Sequence, residues 1–164
     1  MNLYILRHGP AEEPSEWAPR PETLRPLTKA GTKRVKEVAQ FLADNDISFD
    51  VILTSPYERA LRTAEIVAKT LGQKKKLVHF APLAVGGAPE PLMQELAEHQ
   101  SEWEDVLLVG HEPSLSQLIS LLVTGRSLSS IELKKAGLAK LMVDRPRAGQ
   151  CATLQMLLPP KFII

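Results

Sequence analysis

Three short apolar runs constrain the fold of this 164-residue chain more than any other feature. They are Leu3–Leu6, Val51–Leu53 and Val106–Val109, and polar or turn residues follow each of them. Runs that are apolar at every position suit strands covered on both faces, as in a parallel sheet flanked by helices. Weaker strand patterns predict a fourth strand at Leu77–Phe80 and a closing hairpin, Leu138–Val143 with Ala152–Leu158.

Amphipathic helices are predicted between these runs. Thr28 is a suitable N-cap for a helix whose apolar stripe is Val35, Val38, Ala39 and Leu42. A second helix is expected from Ser55, with Pro56 in its first turn, Glu58 completing a capping box and Gly72 ending it. A third follows Pro113 and ends at Gly125, and a fourth covers about Glu90 to His99. Alternating strands and helices predict a three-layer α/β/α sandwich with a largely parallel central sheet, formed by residues 1–164 as a single domain.

The segment Gly9–Pro26 differs from the rest of the chain. Five prolines lie in it, and we expect them to exclude regular structure. A loop of this length in a compact domain is usually functional. Trp17 is either part of a contact surface in this loop or packed to stabilise it.

The amino-acid composition argues against several classes of protein. The 20 basic and 19 acidic residues give a net charge of +1, which argues against a nucleic-acid binder and requires any positive field to be local. Cys151 is the only cysteine, so an intramolecular disulfide is impossible. No apolar stretch approaches membrane-spanning length, and a cytoplasmic protein is expected.

Ligands of open parallel sheets bind beyond the carboxyl ends of the strands. The first run delivers Arg7 and His8 to that edge, the third delivers His111, and the second leads to Arg59 in the opening turn of a helix. A cation in a first helical turn opposes the helix dipole, but a bound anion reverses that balance. The sequence therefore predicts an oxyanion site at this edge.

Each of these residues also has a plain structural interpretation. Either histidine is compatible with a hydrogen-bonded core position, and Arg59 with an ion pair to Glu58 or Glu65. Two histidines without a clear third ligand make a poor zinc site. His79 and His99 are interpreted as structural or exposed residues.

The joint pattern resembles the histidine phosphatase (phosphoglycerate mutase-like) superfamily. Arg7-His8-Gly9 resembles its RHG signature, and further matching segments follow in the family order. They are Arg25-Pro26-Leu27-Thr28-x-x-Gly31, Ser55-Pro56-x-x-Arg59-Ala60-x-x-Thr63-Ala64 and Gly110-His111-x-Pro113-x-Leu115. The small size and the segment Leu24–Thr28 are similar to the SixA-like phosphohistidine phosphatases.

The resemblance implies a phosphoglycerate mutase-like fold and a metal-independent phosphatase without a cofactor. It implies that His8 is the nucleophile, held by a nearby backbone carbonyl for which Gly9 is a candidate. It further implies that Arg7, Arg59 and His111 surround the phosphate and that Arg25 approaches from the loop.

Substrate class depends on one departure from the family. Many members place a Glu or Asp acid after the third strand, but residues 81–87 contain no carboxylate. An alkoxide leaving group needs that acid and a phosphoramidate does not, which favours a histidine-phosphorylated protein such as a phosphotransfer domain. Gly72–Asp105 is too short for a large cap, so an open site is expected. The alternatives are a small-molecule phosphomonoesterase with Glu90 as acid, a non-catalytic phosphate-binding module and, last, a mutase.

Overall fold

The computed structural model describes residues 1–128 and 130–163 and contains a six-stranded sheet. In chain order the strands are β1 (Asn2–Arg7), β2 (Val51–Thr54), β3 (Leu77–His79), β4 (Asp105–Gly110), β5 (Leu138–Val143) and β6 (Ala152–Leu158). Their spatial order is β3-β2-β4-β1-β5-β6. The first four strands pair in parallel, whereas β5 is antiparallel to both β1 and β6. The largely parallel sheet and the closing hairpin are confirmed.

Helices cover both faces of this sheet. They are α1 (Pro14–Trp17), α2 (Lys29–Asp44), α3 (Glu58–Thr70), α4 (Pro89–Glu98) and α5 (Ser114–Thr124). Side chains of α2 and α3 share one apolar cluster with Tyr4 and Leu6, and those of α4 and α5 share the other with Leu3 and Ile5. Because successive strand residues point to opposite faces, one continuous apolar run supplies both clusters. The predicted three-layer α/β/α architecture is confirmed.

The predicted start of the second helix is wrong. α3 begins at Glu58 with Tyr57 as its N-cap, and Ser55 lies before it in the turn after β2. The Ser55 Oγ accepts a hydrogen bond from the Tyr57 backbone N–H at 3.2 Å, so the hydroxyl stabilises that turn instead of capping a helix. The predicted ends of the second and third helices are confirmed. Gly72 and Gly125 follow α3 and α5 and adopt left-handed φ angles of 67° and 79°.

The prediction that Gly9–Pro26 lacks regular structure is also wrong. Pro14 begins the one-turn helix α1, at a position where no backbone N–H is required. Glu22–Leu24 forms a 3₁₀ turn, and Ala11 forms a bridge with Leu27. Trp17 donates its Nε1–H to the Pro21 carbonyl at 2.8 Å and stacks under Arg20, so it packs within the loop.

The arrangement of the strands determines where polar residues collect. β2, β4 and β1 are neighbours at the centre of the sheet, and their carboxyl ends lie side by side. Lys74–Lys76 form an exposed 3₁₀ turn that leads into β3, the strand at one lateral edge of the sheet. No helix in the described part of the chain combines the length and apolarity needed to cross a membrane.

Candidate active site

His8 and His111 meet at the carboxyl edge of the sheet, as the sequence predicts. Each follows a central strand directly, and the His8 backbone N–H donates to the Gly110 carbonyl at 3.1 Å. The ring centroids are 5.3 Å apart and the rings are inclined by 56°. Both side chains are buried, with 5% of His8 and 2% of His111 exposed. The two imidazoles therefore form one polar cluster at the end of an apolar sheet.

The tautomer of His8 follows from its hydrogen bond. Its Nδ1 lies 2.7 Å from the Gly9 carbonyl oxygen, which can only accept, so Nδ1 carries the hydrogen and Nε2 carries a lone pair. The pKa of His8 is lowered to about 3, chiefly by burial and in addition by His111, Arg59 and Arg7, while the Gly9 hydrogen bond opposes the shift. The imidazole is neutral near pH 7. Its Nε2 has no hydrogen-bond partner among the described residues and is not sealed from solvent.

Gly9 connects β1 to α3. Its backbone N–H donates to the Thr63 Oγ1 at 3.2 Å, and the Thr63 hydroxyl donates to the Arg59 carbonyl at 2.7 Å. A Cβ on Gly9 would lie 2.5 Å from a methyl group of Val35, so the close approach of α2 requires glycine. Both peptide groups of Gly9 are thus occupied within the protein, and the residue positions His8 and Arg59.

His111 is held by Ser55, which sequence reasoning assigned to a helix cap. The His111 Nε2 lies 2.7 Å from the Ser55 Oγ, and the Tyr57 ring packs edge-on at 5.2 Å. Burial is the main cause that lowers the pKa of His111 to about 4, with contributions from Arg59, Arg25 and Arg7. Its Nδ1 is buried without a partner among the described residues. Such an unpaired atom marks a place where a ligand can supply the missing bond.

Arg59 points into the same cluster from the first turn of α3. Only 4% of the residue is exposed, and burial lowers its pKa. Its Nη1 donates to the Glu22 carbonyl at 3.1 Å and its Nη2 lies 3.3 Å from the Glu22 carboxylate, so neither predicted partner, Glu58 nor Glu65, pairs with it. The Nε is buried and has no partner in the described part of the chain. Arg62, three residues on, pairs with Glu65 at the surface.

Arg25 reaches the cluster from the loop, as the resemblance implies. Its Nη1 donates to the Glu12 carbonyl at 2.6 Å, while Nε and Nη2 bind the Glu22 carboxylate at 2.9 and 2.8 Å. Glu22 therefore bridges Arg25 and Arg59. The hydrogen bond from Arg25 and the charges of Arg25, Arg59 and His111 lower the pKa of Glu22, which is deprotonated near pH 7.

Sequence reasoning missed Glu22. The spacing of three residues between Glu22 and Arg25 was its one available signal, and this spacing indicates an ion pair only if the loop is helical there. The same loop was predicted to be irregular, so the signal carried no weight.

Arg7 joins the two histidines, Arg25 and Arg59 from the side of the site next to β5. Its Nη1 donates to the Leu133 carbonyl at 3.0 Å, and its Nε is buried without a partner among the residues described. Burial lowers the pKa of Arg7, with Glu112 acting in the opposite direction. The charge of Arg7 contributes to the lowered pKa of both histidines. Arg7, Arg25, Arg59 and the two histidines thus form one electrostatically coupled cluster, here called the cationic cluster.

Other candidate residues lie outside the cationic cluster. Glu90 is exposed in the first turn of α4, and none of its hydrogen bonds or ion pairs reaches the cluster among the described residues. His79 is exposed at the end of β3, and His99 stacks on Trp103 at 4.0 Å. Within ranges 1–128 and 130–163, no three His, Cys, Asp or Glu side chains group closely enough to hold a metal ion.

The cationic cluster can do a specific kind of chemistry. It offers one neutral imidazole with a free lone pair, and beside it three guanidiniums and a second imidazole. Guanidiniums and buried nitrogen donors stabilise the equatorial oxygens of a phosphoryl group in transfer.

Comparisons with known proteins identify relatives of this chain. The family model of the histidine phosphatase superfamily (branch 1) matches residues 3–80. An uncharacterized protein of a Picosynechococcus strain is 34% identical over the whole chain and 99% of its own length. The phosphohistidine phosphatase SixA of Escherichia coli is 25% identical over 84% of this chain and 88% of its own.

Solved structures extend the likeness to the whole fold. A structure of the protein histidine phosphatase SixA complexed with tungstate superimposes with a TM-score of 0.85, covering 98% of both chains at 23% identity. That likeness confirms the phosphoglycerate mutase-like fold. From the matching family segment, the full-length relative and the shared architecture, this chain belongs to the histidine phosphatase superfamily and resembles its small SixA-like members over most of its length.

Proposed function

We propose that this protein is a phosphohistidine phosphatase, which removes phosphate from histidine-phosphorylated proteins such as phosphotransfer domains. One observation carries the proposal. The His8 ring is neutral, its Nδ1–H is bound to the Gly9 carbonyl, and its Nε2 lone pair is free within the cationic cluster. This is the state that a nucleophilic imidazole requires.

In the first step, the His8 Nε2 attacks phosphorus and a new N–P bond forms. The N–P bond to the substrate imidazole breaks, and its electron pair stays on that imidazole, which leaves with the proton it already carries. Arg7, Arg59 and His111 hold the phosphoryl oxygens, and Arg25 adds charge from the loop. The guanidiniums supply the charge stabilisation that a metal ion supplies in other phosphoryl-transfer enzymes, so the scheme needs no metal.

In the second step, water attacks the phosphoryl group on His8. The N–P bond breaks, its electron pair returns to Nε2, and inorganic phosphate leaves with the oxygen and both protons of the water. The Gly9 carbonyl keeps the Nδ1 hydrogen in place throughout, so His8 returns to the tautomer in which it began.

The carboxylates around the site favour a phosphoramidate substrate. Residues 81–87 contain no acid. Glu22 pairs with Arg25 and Arg59, has a lowered pKa and holds no proton to donate. Loss of general acid catalysis costs an alkoxide leaving group about a factor of 10² or more. The imidazole of a phosphohistidine already carries a proton when it leaves, so it needs no general acid. The similarity to the Escherichia coli phosphohistidine phosphatase SixA supports the same substrate class.

Two measurements test the proposal. The first compares kcat/KM for a histidine-phosphorylated phosphotransfer domain with that for an alkyl phosphomonoester such as glycerol 2-phosphate, whose alkoxide leaving group needs an acid. We expect the phosphoprotein to be the better substrate, with turnover unchanged by EDTA and by Glu90→Gln. Preference for the ester, together with loss of ester turnover in Glu90→Gln, would instead identify a phosphomonoesterase.

The second measurement traps the intermediate. After a brief reaction with ³²P-labelled phosphoprotein and a quench in alkali, we expect an acid-labile label on the wild-type chain and none on His8→Asn. An unlabelled wild-type chain that still binds phosphate would identify a non-catalytic phosphate-binding module.

A further inference from the structure

A groove adjoins the cationic cluster on its β5 side, and Arg7 lines both. The other lining residues are Glu132, Lys134, Lys135, Pro159, Pro160, Lys161 and Phe162. Register places the groove at the catalytic edge, because Leu6 at the end of β1 pairs with Leu138, which pairs with Leu158 at the end of β6. The segments that follow β6 and precede β5 therefore emerge beside His8.

The groove is basic although the chain as a whole is nearly neutral. Among the described residues, four of its lining side chains are basic and one is acidic, whereas the net charge of the chain is +1. Glu132 lies 2.7 Å from the Lys134 Nζ and neutralises that lysine. Lys135 and Lys161 are exposed, and neither forms an ion pair within the described part of the chain. The groove therefore adds a second local positive field beside that of the cationic cluster.

The groove also has an apolar element and a fixed position. Phe162 is 63% exposed, the largest such fraction among the exposed large hydrophobic residues described. The segment that carries Lys135 is bound to the catalytic strand on both sides, through the Leu133 carbonyl to Arg7 and through the Ala136 N–H to the His8 carbonyl. The backbone that carries Lys135 is therefore held at a fixed position relative to His8.

We infer that this groove binds an acidic segment next to the phosphohistidine of the protein substrate, with an apolar side chain of that segment against Phe162. The inference rests on the proposed function and adds the chemistry of the partner surface. Charge complementarity decides the occupant, since exposed lysines within about 8 Å of a bound segment attract carboxylates at physiological ionic strength. Steering of this kind acts mainly on association, and hence on kcat/KM at low salt.

Two phosphohistidine peptides test the groove. They have equal length and one central leucine beside the phosphohistidine, and their flanking residues are glutamates in one and glutamines in the other. We expect the wild-type chain to favour the glutamate peptide by about tenfold in kcat/KM, with the preference decreasing as salt increases.

Charge-reversal variants locate the effect. Lys135→Glu/Lys161→Glu should abolish or reverse the preference and leave turnover of the glutamine peptide unchanged. Lys74→Glu/Lys75→Glu is a matched control, because it makes the same charge change in an exposed turn at the opposite edge of the sheet. Lys76 is kept in the control, since its Nζ donates to the Phe49 carbonyl.

Several outcomes would overturn the inference. They are equal turnover of both peptides by the wild-type chain, a preference that survives in Lys135→Glu/Lys161→Glu, and an equal loss in the control. Inhibition by a single-stranded oligonucleotide, but not by the unphosphorylated glutamate peptide, would assign the groove to nucleic acid. Cleavage of both peptides without preference leaves the proposed function intact, whereas an unlabelled His8 with neither peptide cleaved refutes both.

Discussion

Acid should destabilise this protein strongly because its two buried histidines resist protonation. In an unfolded chain each imidazole binds a proton near pH 6.5, but burial lowers the pKa of His8 to about 3 and that of His111 to about 4. Between these values the unfolded state binds more protons than the folded state. The stability that the neutral histidines contribute is therefore present above pH 6.5 and is lost as the pH decreases toward 4.

The size of the effect follows from the two shifts. Between pH 7 and pH 5, each histidine should lower the free energy of unfolding by about 2 kcal/mol, and both together by about 4 kcal/mol. A domain of this size has a total stability of about 5–15 kcal/mol, so the loss is large. His8→Asn keeps an amide that can donate to the Gly9 carbonyl and removes the titrating group. This variant should lose about 2 kcal/mol less than wild type over the same interval.

Urea unfolding at pH 7, 6 and 5 measures this difference. Titration of all other groups is common to both proteins and cancels in the comparison. His79→Asn serves as the control, because His79 is exposed at the end of β3 and the variant should follow the wild-type curve. If wild type and His8→Asn lose the same free energy between pH 7 and pH 5, the buried neutral imidazole described here is wrong.

Three further variants have defined outcomes. In Gly31→Ala the new Cβ would lie 1.9 Å from the Pro10 carbonyl oxygen, so the backbone must move. The midpoint of thermal unfolding should therefore decrease by roughly 5 °C, and an unchanged midpoint would show that α2 does not approach Pro10 this closely. Ser55→Ala removes the hydroxyl bound to the His111 Nε2 and should lower the free energy of unfolding by about 1–3 kcal/mol, measured in urea. Glu22→Gln frees two guanidiniums, so inorganic phosphate should inhibit about two- to fivefold more strongly; weaker inhibition would refute a competing carboxylate.

The elements and the catalytic edge were predictable because their signals are local. Apolar runs and helical stripes reflect which side chains must leave water, and all six strand predictions agree with the structure to within one residue at each end. Parallel strands bring their carboxyl ends to one edge, so the meeting of His8 and His111 followed from the strand pattern. Nothing local distinguished the two uses of Ser55, since a serine before Pro56 and Glu58 fits a helix cap as well as a turn.

The sequence by itself determined the layered α/β fold, the edge of the sheet at which the polar residues collect, and the identity of the two imidazoles there. Tertiary structure alone decided that Glu22 bridges the arginines and that Ser55 holds His111. Those contacts join residues 37 and 56 positions apart, from Glu22 to Arg59 and from Ser55 to His111. The periodicity of apolar residues indicates which face of an element is buried. The hydrogen-bond partner of a polar side chain at the end of a strand depends on long-range contacts, which form only in the folded protein.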